Sequence, residues 1–311
     1  MPEGDTLFRV ARTLHKVLAG QEVRRFNSAY APLLRIDEEA PLVGRTVQRV
    51  EARGKWCLIW LGARPGTVTE AGVVPPRTSV RRWDATLVLC THLRMNGMWH
   101  VYRAGPTPDR DEKWQRPARD MRVLLATATF VTVGFRVPVA ELLTVGELER
   151  YPELGRLGPD LLSLQFDDVE ALRRLRARGD HELGEALLDQ SAMAGLGNVY
   201  KSEVCFLGGL SPFSPVRAVP DETLRKLVSI SQRLMRENVH SAEPGGSGVV
   251  TFTGLRRTTS AMSPAERLWV YGRGGEPCRR CGTPIREARQ GPHARVTFHC
   301  PHCQPAAPDP P

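Results

Sequence analysis

The chain has 311 residues, more than one hydrophobic core usually serves, so two domains and a small module are expected. Its formal net charge of +9 favours a polyanionic partner, with nucleic acid first and an acidic membrane surface second. No apolar run approaches the roughly 20 residues of a membrane span, and the N-terminus lacks a signal-peptide profile. These features argue against a membrane-spanning protein and predict a cytoplasmic location.

The first three residues, Met1-Pro2-Glu3, form a candidate catalytic constellation. A small second residue permits removal of Met1, which leaves the secondary amine of Pro2 as the N-terminus. An α-amino group has a reference pKa of roughly 7.7–8.0, so part of it is neutral near pH 7 and can attack an aldehyde-like carbon. Glu3 adds a carboxyl group as a proton donor or acceptor. Many chains begin with Met-Pro for other reasons, and that alternative stays open here.

Residues 5–19 are predicted to form an amphipathic helix. Apolar side chains recur at helical spacing and would bury one face, at Leu7, Val10, Ala11, Leu14, Val17 and Leu18. Asp5 or Thr6 can cap the start of the helix. Pro2 and Glu3 would then lie just before its positive end.

Between Gln21 and Pro138 the pattern changes to short apolar and β-branched runs separated by Gly, Pro and charge. Six runs have strand length: Val47–Val50, Cys57–Leu61, Ala85–Leu89, Met98–Tyr102, Arg122–Ala126 and Phe130–Val133. Many short strands with turn signals predict a β-sandwich or a barrel. Residues 64–82 are rich in Pro, Gly and Thr and are predicted to form an exposed loop.

Two turns of this β-rich region hold further candidate site residues. Lys55 precedes a strand, where its ammonium group can reach a phosphate or the N-terminal amine; a solvated turn lysine is the alternative. Met95 follows another strand, and a long apolar side chain there can wedge into a base stack. Ordinary packing of Met95 in the core is the alternative.

The second half of the chain is predicted to be helical after a linker at residues 139–152. Helices are expected at Asp167–Arg178, Leu183–Gln190 and Asp221–Asn238. Between the last two lies Gly195-Leu196-Gly197-Asn198, a tight turn whose Asn198 can cap the next helix. Backbone N–H groups after Gly197 and the Asn198 amide would cradle a phosphate. A plain packing corner between helices is the alternative.

Four of the seven cysteines form two knuckles near the C-terminus, Cys278-x-x-Cys281 and Cys300-x-x-Cys303. The spacing between them is typical of a zinc ribbon, so we expect one structural Zn²⁺ held by four thiolates. Four thiolates leave no coordination position for water, which predicts a structural rather than a catalytic metal. Arg295, between the knuckles, is a candidate DNA-phosphate contact.

Together these motifs resemble those of the formamidopyrimidine-DNA glycosylase/endonuclease VIII (Fpg/Nei) family of base-excision repair enzymes. The resemblance implies an α+β multidomain fold with an N-terminal helix and β-sandwich, a helix-two-turn-helix domain and a C-terminal zinc-finger β-hairpin. The expected ranges are 1–138 for the catalytic domain, 139–152 for a linker, 153–245 for the helix-two-turn-helix domain, 246–303 for a loop and the zinc finger, and 304–311 for a disordered tail.

The resemblance also implies the chemistry of a bifunctional DNA glycosylase and abasic-site lyase. Pro2 resembles the family's nucleophile, which forms a Schiff base with C1′ of the damaged nucleotide, and Glu3 resembles its acid/base. Successive β- and δ-elimination would cut the strand on both sides, and the resemblance implies that this chemistry needs no soluble cofactor. The damaged nucleotide must first leave the base stack, because its sugar carbon is unreachable inside the duplex.

Other matching positions imply contacts with damaged DNA, double-stranded or single-stranded. Lys55 resembles the β-domain lysine near the lesion and its phosphate, and Met95 resembles the residue that fills the void in the duplex. Asn198 and Arg295 resemble the phosphate-binding pair of the helical turn and the finger. A monomer associated with the nucleoid, with no membrane partner, is the expectation.

The preferred lesion has two alternatives. Met-Pro-Glu-Gly and Asp189-Gln190 are similar to the endonuclease VIII branch, whose substrates are mainly oxidised pyrimidines, and we favour those lesions. Val270-Tyr271-Gly272-Arg273 and Arg295-Val296-Thr297-Phe298 are more similar to the 8-oxoguanine and formamidopyrimidine branch. Asp5-Thr6 departs from the endonuclease VIII pattern, which leaves the role of a second acid open.

A different class of function is a non-catalytic, zinc-containing DNA-binding protein. It would explain the charge and the cysteines equally well, but it gives no reason for Pro2, Glu3 and Lys55 to occur where a lyase requires them. An RNA-binding zinc-ribbon protein is supported by little more than the charge.

Overall fold

The computed structural model describes residues 2–63, 83, 85–105, 114–240, 250–251, 256–261 and 263–306. They form two compact units. The first contains Pro2 and Thr6–Gly155 together with a short strand at Val250–Thr251, and the second contains Glu3–Asp5 and the described chain from Arg156 onward apart from that strand. The loop predicted at residues 64–82 lies outside the described residues.

The first unit contains helix α1, Gly4–Leu18, from Thr6 onward, and both ends of this helix lie within one residue of the predicted range. Its strands are β1 (Arg25–Ser28), β2 (Val47–Arg53), β3 (Trp56–Leu61), β4 (Leu87–His92), β5 (Met98–Arg103), β6 (Met121–Ala126), β7 (Phe130–Phe135), β8 (Val139–Thr144) and β9 (Val250–Thr251). Three short helices complete it: α2 (Ala31–Glu39), α3 (Val145–Glu149) and α4 (Pro152–Gly155).

These strands form two antiparallel sheets with the orders β1-β6-β7-β5-β9 and β2-β3-β4-β8. The main core contains side chains from α1 and from both sheets, as in a β-sandwich. Successive side chains of β6 point to opposite faces of the sheet. Val123 and Leu125 join this core, whereas Leu124 and Ala126 pack in a second cluster with Phe135.

The predicted linker at residues 139–152 is wrong for its first half, because Val139–Thr144 forms strand β8. This strand pairs with β4 in a regular register that runs from His92↔Val139 to Leu87↔Thr144. It is an edge strand in which only Ala140 and Leu142 are buried. Its sequence therefore shows little of the apolar pattern that predicts a strand. Helix α2 was also missed, since Leu33 is its only buried residue.

The second unit contains helices α5 (Asp168–Arg176), α6 (Leu183–Leu188), α7 (Asn198–Gly208) and α8 (Asp221–His240), and a hairpin of β10 (Arg286–Gln290) and β11 (Arg295–His299). Helices α5, α6 and α8 correspond to the three predicted ranges, with ends that differ by no more than two residues. Helix α7 begins at Asn198, as expected. Their apolar faces share one core that includes Leu187, Leu196, Tyr200 and Leu227. A smaller cluster beneath the cysteines contains Phe206, Ile285 and Phe298.

Two further expectations about boundaries differ from the structure. Val250–Thr251, predicted to belong with the zinc finger, pairs with β5 in the first unit. Gln304, predicted to begin a disordered tail, is buried; its amide donates to the Leu210 carbonyl at 2.9 Å and its oxygen accepts from the Cys300 N–H. Within the described part of the chain, no helix is long and apolar enough to cross a membrane.

Candidate active site

The carboxyl group of Glu3 lies at the first turn of helix α7. Glu3 is fully buried, and its Oε1 accepts a hydrogen bond from the Val199 backbone N–H at 2.9 Å. The backbone N–H of Gly4 donates to the Gly195 carbonyl at 2.8 Å and holds the start of the chain in place. The free backbone N–H at the helix start thus fixes the orientation of the carboxyl group through Oε1. The sequence predicted Glu3 beside the start of α1; its carboxyl group contacts the start of α7.

Gly197 is the position that allows this approach. A Cβ on Gly197 would lie 2.3 Å from Cδ of Glu3, well inside van der Waals contact. The backbone of Gly197 is extended, with φ −130°, so space rather than conformation requires glycine. Gly195 is different, because its φ of +107° lies in a region that L side chains rarely adopt. The two glycines of the turn therefore serve separate purposes.

The second carboxyl oxygen of Glu3 is available for chemistry. Oε2 is buried and has no hydrogen-bond partner among the described residues. Buried polar atoms are normally paired, and an unpaired one calls for an explanation such as a functional role. Pro2, the residue directly before it, is half-buried, and Met1 lies outside the described residues. The carboxyl group with an unpaired oxygen thus belongs to the residue that follows the candidate amine in the sequence.

A buried ion pair that the sequence did not reveal lies behind Glu3. Arg256 donates from Nε and Nη2 to the carboxylate of Asp5 at 2.8–3.1 Å, and both side chains are almost fully buried. The guanidinium also lies 5.4 Å from the ring centroid of Tyr200. Burial disfavours the Arg256 charge, but the carboxylates of Glu3 and Asp5 keep its pKa above the ordinary value. No local signal could reveal a pair separated by 251 residues.

Asn198 and Arg295 are brought to one region of the second unit. The Asn198 amide donates to the Val296 carbonyl at 2.7 Å, and Arg295, the next residue along β11, is exposed. The Oδ1 atom of Asn198 is buried without a partner among the described residues. An amide and an exposed guanidinium at a helix start suit a phosphate group.

Lys55 and Met95 both lie in turns of the first unit. Lys55 is half-buried in the turn between β2 and β3, next to Gly54 with φ +58°. Met95 is 55% exposed in the turn after β4, which excludes the alternative of core packing. The preceding residue, Arg94, has φ +47°, an unusual conformation for a side chain of its size.

His92 supports the Met95 turn and was not singled out from the sequence. Its Nδ1 accepts the Arg94 backbone N–H at 3.0 Å, and its ring packs edge-on against Trp56 at 5.0 Å. Burial, with the charges of Arg94 and Lys55, lowers the pKa of His92 to about 4. The imidazole is therefore neutral at pH 7, as an accepting Nδ1 requires.

The four cysteines of the two knuckles meet as predicted. The sulfur atoms of Cys278, Cys281, Cys300 and Cys303 all lie within 4.8 Å of one another. Four thiols in such a cluster fit tetrahedral Zn²⁺ with no position left for water. The other three cysteines, Cys57, Cys90 and Cys205, are buried and unpaired, and burial raises the pKa of each thiol.

Comparison with known proteins places these parts in one family. Residues 1–136 match the formamidopyrimidine-DNA glycosylase N-terminal domain, residues 157–251 match the formamidopyrimidine-DNA glycosylase H2TH domain, and residues 275–306 match the zinc finger found in FPG and IleRS. A probable endonuclease 8 2 of Streptomyces coelicolor is 39% identical over 307 residues, which is 98% of this chain and 94% of that protein. The chain belongs to the Fpg/Nei family.

Other Fpg/Nei relatives cover the chain equally well. The DNA-(apurinic or apyrimidinic site) lyase Nei2 of Mycolicibacterium smegmatis is 33% identical and covers 99% of this chain and 100% of its own length. A formamidopyrimidine-DNA glycosylase of an Exiguobacterium species is 29% identical, over 98% of this chain and 99% of that protein. The family assignment made from the motifs is confirmed, and so is the enzyme class of DNA glycosylase and abasic-site lyase.

The fold of this Fpg/Nei enzyme agrees with solved structures. Lactococcus lactis Fpg in complex with DNA containing an abasic site has a TM-score of 0.71 at 22% identity, covering 97% of this chain and 99% of that one. The predicted architecture of β-sandwich, helix-two-turn-helix domain and zinc finger is thereby confirmed.

Proposed function

We propose that this Fpg/Nei enzyme removes oxidised pyrimidines from DNA and cleaves the strand through a Schiff base on the amine of Pro2. The observation that carries the proposal is the buried carboxyl group of Glu3, whose Oε1 is held by the Val199 N–H while Oε2 has no partner among the described residues. A carboxyl group in this state can exchange a proton with a sugar oxygen beside the neighbouring amine.

The reaction begins when the lone pair of the Pro2 nitrogen attacks C1′ of the extruded nucleotide. The bond from C1′ to the base breaks, and the departing base takes the electron pair together with the proton that the Pro2 nitrogen gives up. Glu3 then protonates O4′ as the bond from C1′ to O4′ breaks, which leaves the open sugar bound as an iminium ion. The iminium acidifies the C2′ proton, and its loss expels the 3′-phosphate; δ-elimination then expels the 5′-phosphate.

The other site residues would bind the DNA around this centre. Lys55 would neutralise a phosphate near the lesion, and the exposed Met95 would occupy the space left by the extruded nucleotide. Asn198, which follows Gly197 at the start of α7, would bind a backbone phosphate together with Arg295. A structural Zn²⁺ on the four clustered cysteines would hold the hairpin that carries Arg295.

The preference for pyrimidine lesions is supported by the names of the relatives. Proteins named endonuclease 8 are 39% and 33% identical over 98% of this chain, whereas formamidopyrimidine-DNA glycosylases are 29% identical over 98% of it or 33% identical over only 70% of it. Removal of 8-oxoguanine or formamidopyrimidine is the second candidate, because the N-terminal domain model carries that name.

Glu3→Gln tests the proposed acid/base. The amide oxygen still accepts the Val199 N–H, but an amide cannot donate a proton to O4′ as a carboxylic acid does. We expect release of an oxidised pyrimidine to fall at least about 100-fold and cleavage of a preformed abasic site to fall less than about 10-fold. The assay follows single-turnover base release and strand cleavage on matched duplexes.

The control is Glu22→Gln, which changes an exposed carboxylate in the first unit and should leave both rates unchanged. An equal loss of both activities in Glu3→Gln would contradict the assigned role. A duplex containing 8-oxoguanine, run in parallel, decides the lesion: faster release of 8-oxoguanine than of the oxidised pyrimidine would replace the first candidate by the second.

A further inference from the structure

Lys201 is a fully buried lysine on helix α7, one turn after Asn198. Its ammonium donates to the hydroxyl of Thr297 at 2.5 Å and to the Val296 carbonyl at 3.4 Å, both on strand β11. A buried ammonium loses much of its hydration energy, and burial is the main reason that the pKa of Lys201 falls to about 8. Neither the zinc site nor the proposed reaction uses this group.

A continuous line of hydrogen bonds leads away from Lys201. The Thr297 hydroxyl donates to Oε1 of Gln290 at 2.9 Å, and Nε2 of Gln290 donates to the Glu182 carboxylate and to the Pro212 carbonyl, each at 2.8 Å. Because the Thr297 proton is given to Gln290, the hydroxyl must accept from Lys201. Every hydrogen bond of the line therefore donates in the same direction. The line begins at the Lys201 ammonium on α7, passes through both hairpin strands, and ends at the Glu182 carboxylate before α6.

The line runs through the turn end of the hairpin that presents Arg295. Gln290 and Arg295 are register partners at the end of the β10–β11 ladder, and Thr297 lies two residues beyond Arg295 on the same face of β11. The same helix face contacts β11 at two more points: Asn198 donates to the Val296 carbonyl, and Ser202 Oγ accepts the Phe298 N–H. The strand is thus attached to α7 on both sides of Lys201.

We propose that Lys201 is a positioning residue for Arg295. Through Thr297, it fixes the register of β11 on α7, so that the exposed guanidinium of Arg295 and the amide of Asn198 form one preformed phosphate site. The inference rests on the proposed function, in which Arg295 and Asn198 bind a DNA phosphate. Preorganisation of this kind raises affinity by reducing the ordering that binding requires.

Replacing Lys201 by methionine separates this role from general stability. Methionine is similar in length and tolerant of buried positions. The Val296 carbonyl keeps its bond from Asn198, and the Thr297 hydroxyl still donates to Gln290, so no buried donor is left unpaired. We expect the fold and the bound zinc to survive in Lys201→Met.

The test is a double-mutant cycle on binding to a duplex that contains an uncleavable abasic-site analogue. Lys201→Met and, separately, Thr297→Val should each weaken binding by about 5- to 10-fold, and Arg295→Ala by at least as much. In the Arg295→Ala background, either substitution should add less than about 2-fold, because both act through Arg295. Ser231→Ala, which removes a buried hydroxyl of α8 away from the line, is the control.

Salt dependence adds a readout that a merely structural role would not change. Thr297→Val leaves the charge unaltered, yet it should reduce the slope of log K against log salt by about 0.9, the loss of one phosphate contact. Full additivity with Arg295→Ala, or an unchanged slope, would overturn the positioning role while leaving the phosphate role of Arg295 intact. Wild-type affinity in Arg295→Ala would overturn both.

Discussion

At the scale of single residues, the active site depends on how closely two backbone segments approach each other. The carboxyl group of Glu3 occupies the space in which any side chain on residue 197 would begin. The turn Gly195-Leu196-Gly197-Asn198 was predicted to serve as a phosphate cradle; the structure adds that it also receives the carboxyl group. One short motif therefore contributes to both the proposed acid/base and the proposed DNA contact.

Gly197→Ala should therefore damage catalysis more than folding. The new methyl group would overlap Cδ of Glu3 and force the carboxyl group off the Val199 N–H. Overpacking of this kind destabilises by about 1–3 kcal/mol, but we expect base release to fall by about 100-fold, as in the loss of a general acid. The measurements are single-turnover base release and the thermal unfolding midpoint.

Gly179→Ala is the matched control, since a Cβ there would lie at ordinary contact distance, 3.7 Å from its nearest neighbours. Near-normal base release in Gly197→Ala would show that the carboxyl group does not need its observed position.

The buried ammonium of Lys201 makes a prediction about stability against pH. Its pKa is about 8 in the folded protein and 10.5 in an unperturbed chain, chiefly because burial disfavours the charge. Between these values the unfolded chain binds a proton that the folded chain does not, so this group raises stability as pH rises from 8 to 10.5. Relative to Lys201→Met, the wild-type protein should gain roughly 3 kcal/mol across this window.

The check is the difference in unfolding free energy between wild type and Lys201→Met at several pH values. Other titrating groups, including the zinc-binding cysteines, are common to both proteins and cancel in the difference. A difference that stays constant from pH 8 to pH 10.5, or that moves in the opposite direction, would contradict a depressed lysine pKa.

At the scale of secondary-structure elements, the two zinc knuckles allow a simple prediction, because a single substitution should remove the metal site. Cys300→Ser replaces one thiolate of the four-sulfur cluster, so the hairpin should lose zinc and the fixed position of Arg295. We expect zinc content to fall from one equivalent to near zero, and DNA affinity to fall by at least about 10-fold. Metal analysis and a binding titration measure both.

Cys205→Ala, which changes a buried cysteine outside the knuckles, should retain its zinc. DNA affinity equal to that of wild type in a zinc-free Cys300→Ser protein would show that the finger has no part in binding.

The same scale shows which elements a sequence reveals. Helix α1 was found because its apolar residues repeat with the period of a helix and are almost all buried, and strand β3 because it is a continuous apolar run that is buried at every position. Strand β8 and helix α2 were missed because each buries only one or two side chains, which leaves little periodicity to read.

The candidate site divides in the same way. Glu3, Asn198 and the four cysteines stand in compact motifs, so the sequence reveals them. Arg256 with Asp5, and Lys201 with Thr297, join positions 251 and 96 residues apart, and only the folded chain brings them together.

At the scale of the whole molecule, the chain combines an excess of positive charge, +9, with two compact units that each have an apolar core. The charge favours DNA of any sequence through counterion release, so it supports association without choosing a substrate. Selection and chemistry must come from the few buried polar groups that the cores hold in place. In the proposed reaction, Pro2 supplies the nucleophile, and Glu3, held at the start of α7, supplies the acid/base.

Borohydride trapping on an abasic-site oligonucleotide tests this central claim most directly. The protein is prepared with a removable tag ahead of Pro2, trapped before and after tag removal, and its N-terminus is sequenced in each sample; Lys55→Met is run alongside to exclude a lysine adduct. The account predicts a covalent adduct only from chains that begin at Pro2, with Lys55→Met still trapped. No adduct from correctly processed chains, or equal trapping with the tag attached, would contradict it.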